Sequence, residues 1–184
     1  LAGSLTQGTI FQFDDSGEIT PFIEDEDLVS SIGIHIDEEN GRLLVANTDS
    51  NVFFNPEEAM PFASLAAYDL ETGERLFLVD VTDLYEFPAH FANDVVNDAD
   101  GNAYLTNSIA PVIYQITPDG EASVFLESDA FAAEGIGLNG IEFHPDGYLL
   151  AAVIGSASIY KIPLDDPESL TVVETEMPYA IDGM

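Results

Sequence analysis

Short runs of β-branched, aromatic and leucine residues alternate along this chain with polar turns, and most runs are too short to be helices. Turn signals recur at Asp15-Ser16-Gly17, Glu39-Asn40-Gly41, Glu71-Thr72-Gly73, Asp100-Gly101, Pro118-Asp119-Gly120 and Pro145-Asp146-Gly147. Asp, Asn and Pro start such turns, and glycine completes them because it accepts a positive φ. The stretches between predict strands at Thr9–Phe13, Ile32–Asp37, Arg42–Ala46, Ser64–Asp69, Arg75–Asp80, Asp94–Asn97 and Ala103–Thr106. Further strands are expected at Val112–Ile116, Ala122–Leu126, Gly140–Phe143, Tyr148–Val153, Ser158–Ile162 and Leu170–Glu174. Only Ser128–Glu134 reads as a short helical turn. The chain is expected to be all-β.

Laid in parallel, the segments repeat. The run Asn93-Asp94-Val95-Val96-Asn97-Asp98-Ala99-Asp100-Gly101 matches Asn139-Gly140-Ile141-Glu142-Phe143-His144-Pro145-Asp146-Gly147. An earlier copy starts at Ile32-Gly33, and another begins at Asp182-Gly183-Met184. The shared position falls at 33, 94, 140 and 183, and its later steps suit a four-stranded β-propeller blade of about 45 residues. The first step is longer because Asn47–Pro61 inserts a loop, whose Phe53-Phe54 pair reads either as a lid over a pocket or as a locally packed surface insertion. The whole of 1–184 reads as one propeller domain, with repeats near 1–30, 31–91, 92–137 and 138–181 and the next opening at 182. Both ends fall within a blade, and an open ring would expose strand edges, so about four blades of a larger propeller are expected.

The innermost strand of each blade lines a propeller's channel, so equal phase places Asn93, Asn139 and Asp182 around one mouth, with Asp94 beside the first. Two amides and a carboxylate make a hard, oxygen-rich set that suits a divalent cation such as calcium better than zinc or copper. Asn and Asp before glycine also form ordinary Asx turns; three at one repeat phase favour a ligand set.

Three stretches carry a resemblance: Phe91-Ala92-Asn93-Asp94 through Ser108, Leu138-Asn139-Gly140 through Gly147, and Ile181-Asp182-Gly183-Met184. In them the chain resembles the senescence marker protein/gluconolactonase group of six-bladed propellers, more distantly related to paraoxonases. The resemblance implies that Asn139 and Asp182 bind a metal and that Asn93 borders metal or substrate. It also implies a glutamate ligand from a blade preceding Leu1. Members acting on sugar lactones often carry an arginine just before the asparagine matching Asn93; here His90, Phe91 and Ala92 stand there, so a sugar acid is not implied.

The expected chemistry is calcium-assisted hydrolysis of a lactone or related ester. The cation would stabilise the developing oxyanion, and Asp182 would serve as ligand and general base. Asn93 and Asn139 would orient the substrate and complete the coordination. His90, three residues before Asn93, is either a substrate-side proton relay or a loop histidine bonded to a backbone carbonyl. His35 and His144 read as structural or solvated, and Ser108 lacks the partners of a serine triad. The rival class is a non-enzymatic propeller that binds a partner and uses calcium only to brace the hub.

Composition narrows the partners. The 184 residues are 46% hydrophobic, which argues against disorder, yet 35 acidic side chains face 3 basic ones for a formal net charge of −32. Such a surface repels phosphate backbones and anionic lipid heads, so nucleic acid is excluded as an expected partner. The acids are scattered through turns, as in adaptation to high salt. No cysteine is present, which removes disulfides and thiol chemistry. No apolar run approaches the roughly 18 residues of a transmembrane span. The chain opens on Leu1 with no visible signal peptide and reads as processed or truncated. A calcium site of modest affinity favours an extracytoplasmic location, periplasmic or secreted.

Overall fold

The computed structural model describes residues 1–174. Among the described residues, fifteen strands form four antiparallel sheets, each a simple meander. The first sheet contains β1 (Ala2–Gly3), β2 (Thr9–Phe13) and β3 (Ile19–Glu24). The second runs β4 (Ser30–Asp37), β5 (Arg42–Thr48), β6 (Ala63–Asp69), β7 (Arg75–Asp80). The third runs β8 (Ala92–Asn97), β9 (Ala103–Asn107), β10 (Val112–Ile116), β11 (Ala122–Glu127). The fourth runs β12 (Leu138–His144), β13 (Tyr148–Val153), β14 (Ser158–Pro163), β15 (Thr171–Val173). The opening strands touch in order, β8 packing against both β4 and β12, so they are the inner strands of successive blades.

The central strands of the second and third sheets are buried on both faces, which explains their long apolar runs. Leu43 and Val45 of β5 pack with Ile10 and Ile23 of the first sheet, while Leu44 and Ala46 pack with Val95, Leu105 and Tyr114 of the third. In the third sheet the alternation repeats: Leu105 faces back, and Tyr104 and Ile113 face Leu138, Ile141 and Leu149 of the fourth. Each fully buried leucine stabilises the stack by about 1.5–3 kcal/mol. Turn glycines close the far ends of the blades as expected; Gly101 and Gly147 adopt φ of 81° and 84°.

Several elements differ from the sequence reading, the short β1 among them. Ile19–Glu24 forms β3 although Pro21 interrupts its pattern; β3 is an edge strand and Pro21 sits where its register shifts against β2, the place where a missing N–H costs nothing. The loop after β5 contains a one-turn helix, α1 (Asn51–Phe54), and the turn expected at 128–134 is a 3₁₀ turn at Asp129–Phe131.

Candidate functional site

All three inner strands bulge at one height. The register against the second strand shifts between Ser31 and Ile34, between Ala92 and Val95, and between Leu138 and Ile141. The residues released from the ladder are Ile32-Gly33, Asn93-Asp94 and Asn139-Gly140, the positions matched by repeat phase. A bulge of this kind ends pairing locally and re-aims the side chain it releases.

Hydroxyl groups tie the bulges together. Ser108, which follows β9, donates from Oγ to the Leu138 carbonyl oxygen at 2.6 Å. Its one proton is thereby used, so it accepts from Nδ2 of Asn93 at 2.8 Å, which fixes the amide and turns Oδ1 away from that bond. Thr106 Oγ1 donates to the Asn139 carbonyl oxygen at 2.8 Å and accepts from the Asp94 N–H at 3.0 Å. Two hydroxyls of β9 and its exit thus hold the bulge of β8 against that of β12.

Asp94 joins three blades. Its Oδ2 accepts from the Ile141 N–H of β12 and its Oδ1 from the Val95 N–H, both at 3.0 Å. On its other side lies Gly33 of β4, where an added Cβ would meet Asn93 O and Asp94 Oδ1 at 2.6 Å. Only glycine permits that approach. Burial pushes the Asp94 carboxyl above its ordinary pKa, against the lowering effect of the two N–H bonds.

Asn139 is buried in the same cluster. Asp182, the expected carboxylate ligand and base, lies outside the described residues, as does the glycine of the fourth repeat copy. Among the described residues, no group of three or more His, Cys, Asp or Glu side chains is arranged to hold a metal. The hub's described oxygen donors are amides, hydroxyls, backbone carbonyls and the carboxyl of Asp94, whose two oxygens already accept backbone N–H groups.

His90 lies in the connection from β7 to β8 and is 2% exposed. Asn107 accepts three backbone N–H groups at Oδ1, from Phe91, Ile109 and Ala110, so its Nδ2 donates to His90 Nδ1 at 2.9 Å. The Tyr114 hydroxyl lies 3.3 Å from the same nitrogen. Burial lowers the His90 pKa, and the ring is held neutral by partners on β9 and β10 rather than presented to the inner strands. Of the other two histidines, His35 bridges blades, its Nε2 2.9 Å from Asn97 Oδ1 on β8, and His144 bonds locally, its Nδ1 accepting from the Asp146 N–H.

The insertion after β5 stands at the same mouth. Asp49 closes its neck, accepting from Asn51 N–H at Oδ1 and from Met60 N–H at Oδ2, both at 2.9 Å. Phe53 meets Phe91 edge to face with ring centroids 4.8 Å apart. Phe91 in turn accepts at its carbonyl from the Ser108 N–H, so the flap rests two residues from Asn93. The sequence pointed to the asparagines but not to Ser108, Thr106 or Asp49, whose partners are backbone atoms invisible in a residue pattern.

No family model and no curated protein matches the chain. Solved structures do. Virginiamycin B lyase from Staphylococcus aureus superposes with a TM-score of 0.65 at 17% identity, over 96% of this chain and 52% of that one. A chain of a nidogen/laminin complex gives 0.70 at 14% identity, over 98% and 63%. A protein provisionally named a gluconolactonase gives 0.65 at 18%, over 97% and 61%. The chain therefore spans between about half and two thirds of the length of these structures. The likeness is one of fold, and the chain is a run of β-propeller blades.

Proposed function

We propose that this chain belongs to a metal-dependent hydrolase acting on a lactone or related ester at the mouth of the propeller channel. The observation that carries the reading is the set of matched bulges, which releases Asn93 and Asn139 from neighbouring inner strands within one hydrogen-bonded cluster. The fixed amide of Asn93 supports it, because the oxygen left over is a hard, neutral donor. The described donors fit a calcium-like ion in kind, and the acidic ligand is assigned to Asp182 by repeat phase and by the family resemblance. A bound divalent cation supplies Lewis acidity toward the ester carbonyl.

The chain's own residues do the rest. Asn93 and Asn139 hold oxygen donors toward the mouth, and Asn93 also orients the substrate. Asp182 takes the proton of the attacking water and returns it to the leaving alkoxide. The likeness to a protein named for lactone hydrolysis adds to the reading; the likeness to a lyase shows that this fold also hosts other chemistry. Lactone hydrolysis with calcium present, and its loss both in Asp182→Ala and under a chelator, is the expected result. Undiminished turnover in that variant removes the mechanism.

A second reading, a non-catalytic propeller with calcium as a brace, draws on the extent to which Asp94, Thr106 and Ser108 are spent on internal bonds. Chelation separates the two: lost stability with no hydrolysis at any calcium level favours the brace.

A further inference from the structure

An apolar crevice of about 240 Å³ opens between the flap and the β7–β8 connection, the segment that leads through His90 and Phe91 to Asn93. Val52, Pro56, Ala59 and Pro61 line it from the flap, and Pro88 and Ala89 from the connection. None carries a charge or a hydrogen-bonding side chain. Its three prolines fix the backbone around it, so the crevice is formed before anything enters. At this size it lies below the roughly 300–1,000 Å³ of a site for a whole drug-sized ligand, and suits one short chain or ring. Phe54, on the same flap, is 77% exposed, and Phe53 rests on Phe91.

Charge removes one class of occupant. The chain has three basic side chains, and each is engaged elsewhere. Arg42 is buried against Asp37 and the Gly101 carbonyl. Arg75 is paired with Asp25 and Asp27, and Lys161 sits 4.0 Å over the Tyr148 ring. No fixed cation of these side chains remains to meet a carboxylate, phosphate or sulfate at the mouth. The net charge of −32 repels such groups at longer range.

We infer that the crevice is the subsite for an uncharged alkyl or aryl substituent of the substrate, so that the hydrolysed ester is a neutral lactone or ester bearing an apolar chain. This deepens the function proposed above and rests on it for the reacting end of the ligand. The flap, its neck closed by Asp49, sets the specificity: the apolar tail lies between Val52 and Pro88 while the ester group reaches Asn93.

The test is a series of γ-lactones with lengthening alkyl chains, each measured for turnover and, by calorimetry, for binding. The same series is run on Ala89→Trp, which fills the crevice at a position that is none of the proposed ligands. In the unmodified chain, kcat/KM and affinity should rise about fourfold per added methylene until the crevice is full. In Ala89→Trp the rise should vanish. Turnover that is independent of chain length overturns the subsite and leaves the hydrolase reading intact. Affinity that rises with length and is flattened by Ala89→Trp, in the absence of any turnover, upholds the subsite and sinks the hydrolase reading. A better fit for carboxylated lactones, or dimerisation abolished by Phe54→Ala with no lactone binding, overturns the inference.

Discussion

At the mouth, the third blade meets the fourth without a basic side chain: the Ser108 and Thr106 hydroxyls donate to carbonyls of β12, and the Asp94 carboxyl takes the Ile141 N–H. At the far end of the same inner strands, the second blade meets the third through an arginine that is held in a buried ion pair within its own blade. Arg42 donates through Nε to Asp37 Oδ2 at 3.1 Å and through Nη2 to the same oxygen and to the Gly101 carbonyl, the latter at 2.9 Å. Asp37 also accepts from the Asn40 N–H at 3.1 Å. The proposed cation would account for the difference. A fixed cation at the mouth would repel a divalent ion and neutralise its ligands, whereas amides and hydroxyls brace the blades and leave oxygen donors available. The far end has no such duty and uses charge where burial makes pairing necessary.

The sharpest way to break this comparison is Arg42→Ala. It leaves the Asp37 carboxylate buried without its cation and should cost about 3–5 kcal/mol in urea unfolding, with calcium affinity at the hub unchanged. Gly33→Ala acts on the opposite end. Its Cβ would press on Asn93 O and Asp94 Oδ1, and overpacking there should cost about 2–3 kcal/mol and weaken calcium binding as well. Gly147→Ala, whose Cβ would meet nothing within 4 Å, should cost only about 1–2 kcal/mol for its positive φ and leave calcium binding alone.

A smaller effect comes from pH. The His90 pKa is lowered in the fold, so the unfolded chain protonates first as pH falls below about 6.5. This residue's share of stability should therefore be complete above that pH and decline below it, by at most about 1.4 kcal/mol per unit. Chemical denaturation between pH 7.5 and 5.5 reads the slope, and His90→Gln should flatten it. Smallest is Arg75→Ala. Its pairs with Asp25 and Asp27 are partly exposed, and their loss should cost no more than about 1 kcal/mol, shrinking as salt is added.

Much of the fold was legible because turns and strands are local. Pro118-Asp119-Gly120 and its counterparts declare hairpins within a few residues, and the phase of Gly33, Asp94 and Gly140 marks the bulges even though no bulge was foreseen. The strand β3 was hidden by Pro21, since a ladder's tolerance for proline depends on which neighbour is absent. The site was legible by residue type at Asn93 and Asn139 and opaque elsewhere. Nothing near His90 in sequence signals that Asn107 will hold it neutral. Nothing near Asp49 reveals that its two oxygens close an eleven-residue gap to Met60.

Calcium titration by calorimetry, in several hundred millimolar salt with excess magnesium to suppress loose binding by the acidic surface, tests the hub most directly. One saturable calcium site per chain, abolished in Asn93→Ala and in Asn139→Ala but retained in Ala89→Trp, is the result expected. No saturable site, or a site that survives both asparagine substitutions, contradicts the assignment of a cation to the mouth of these blades.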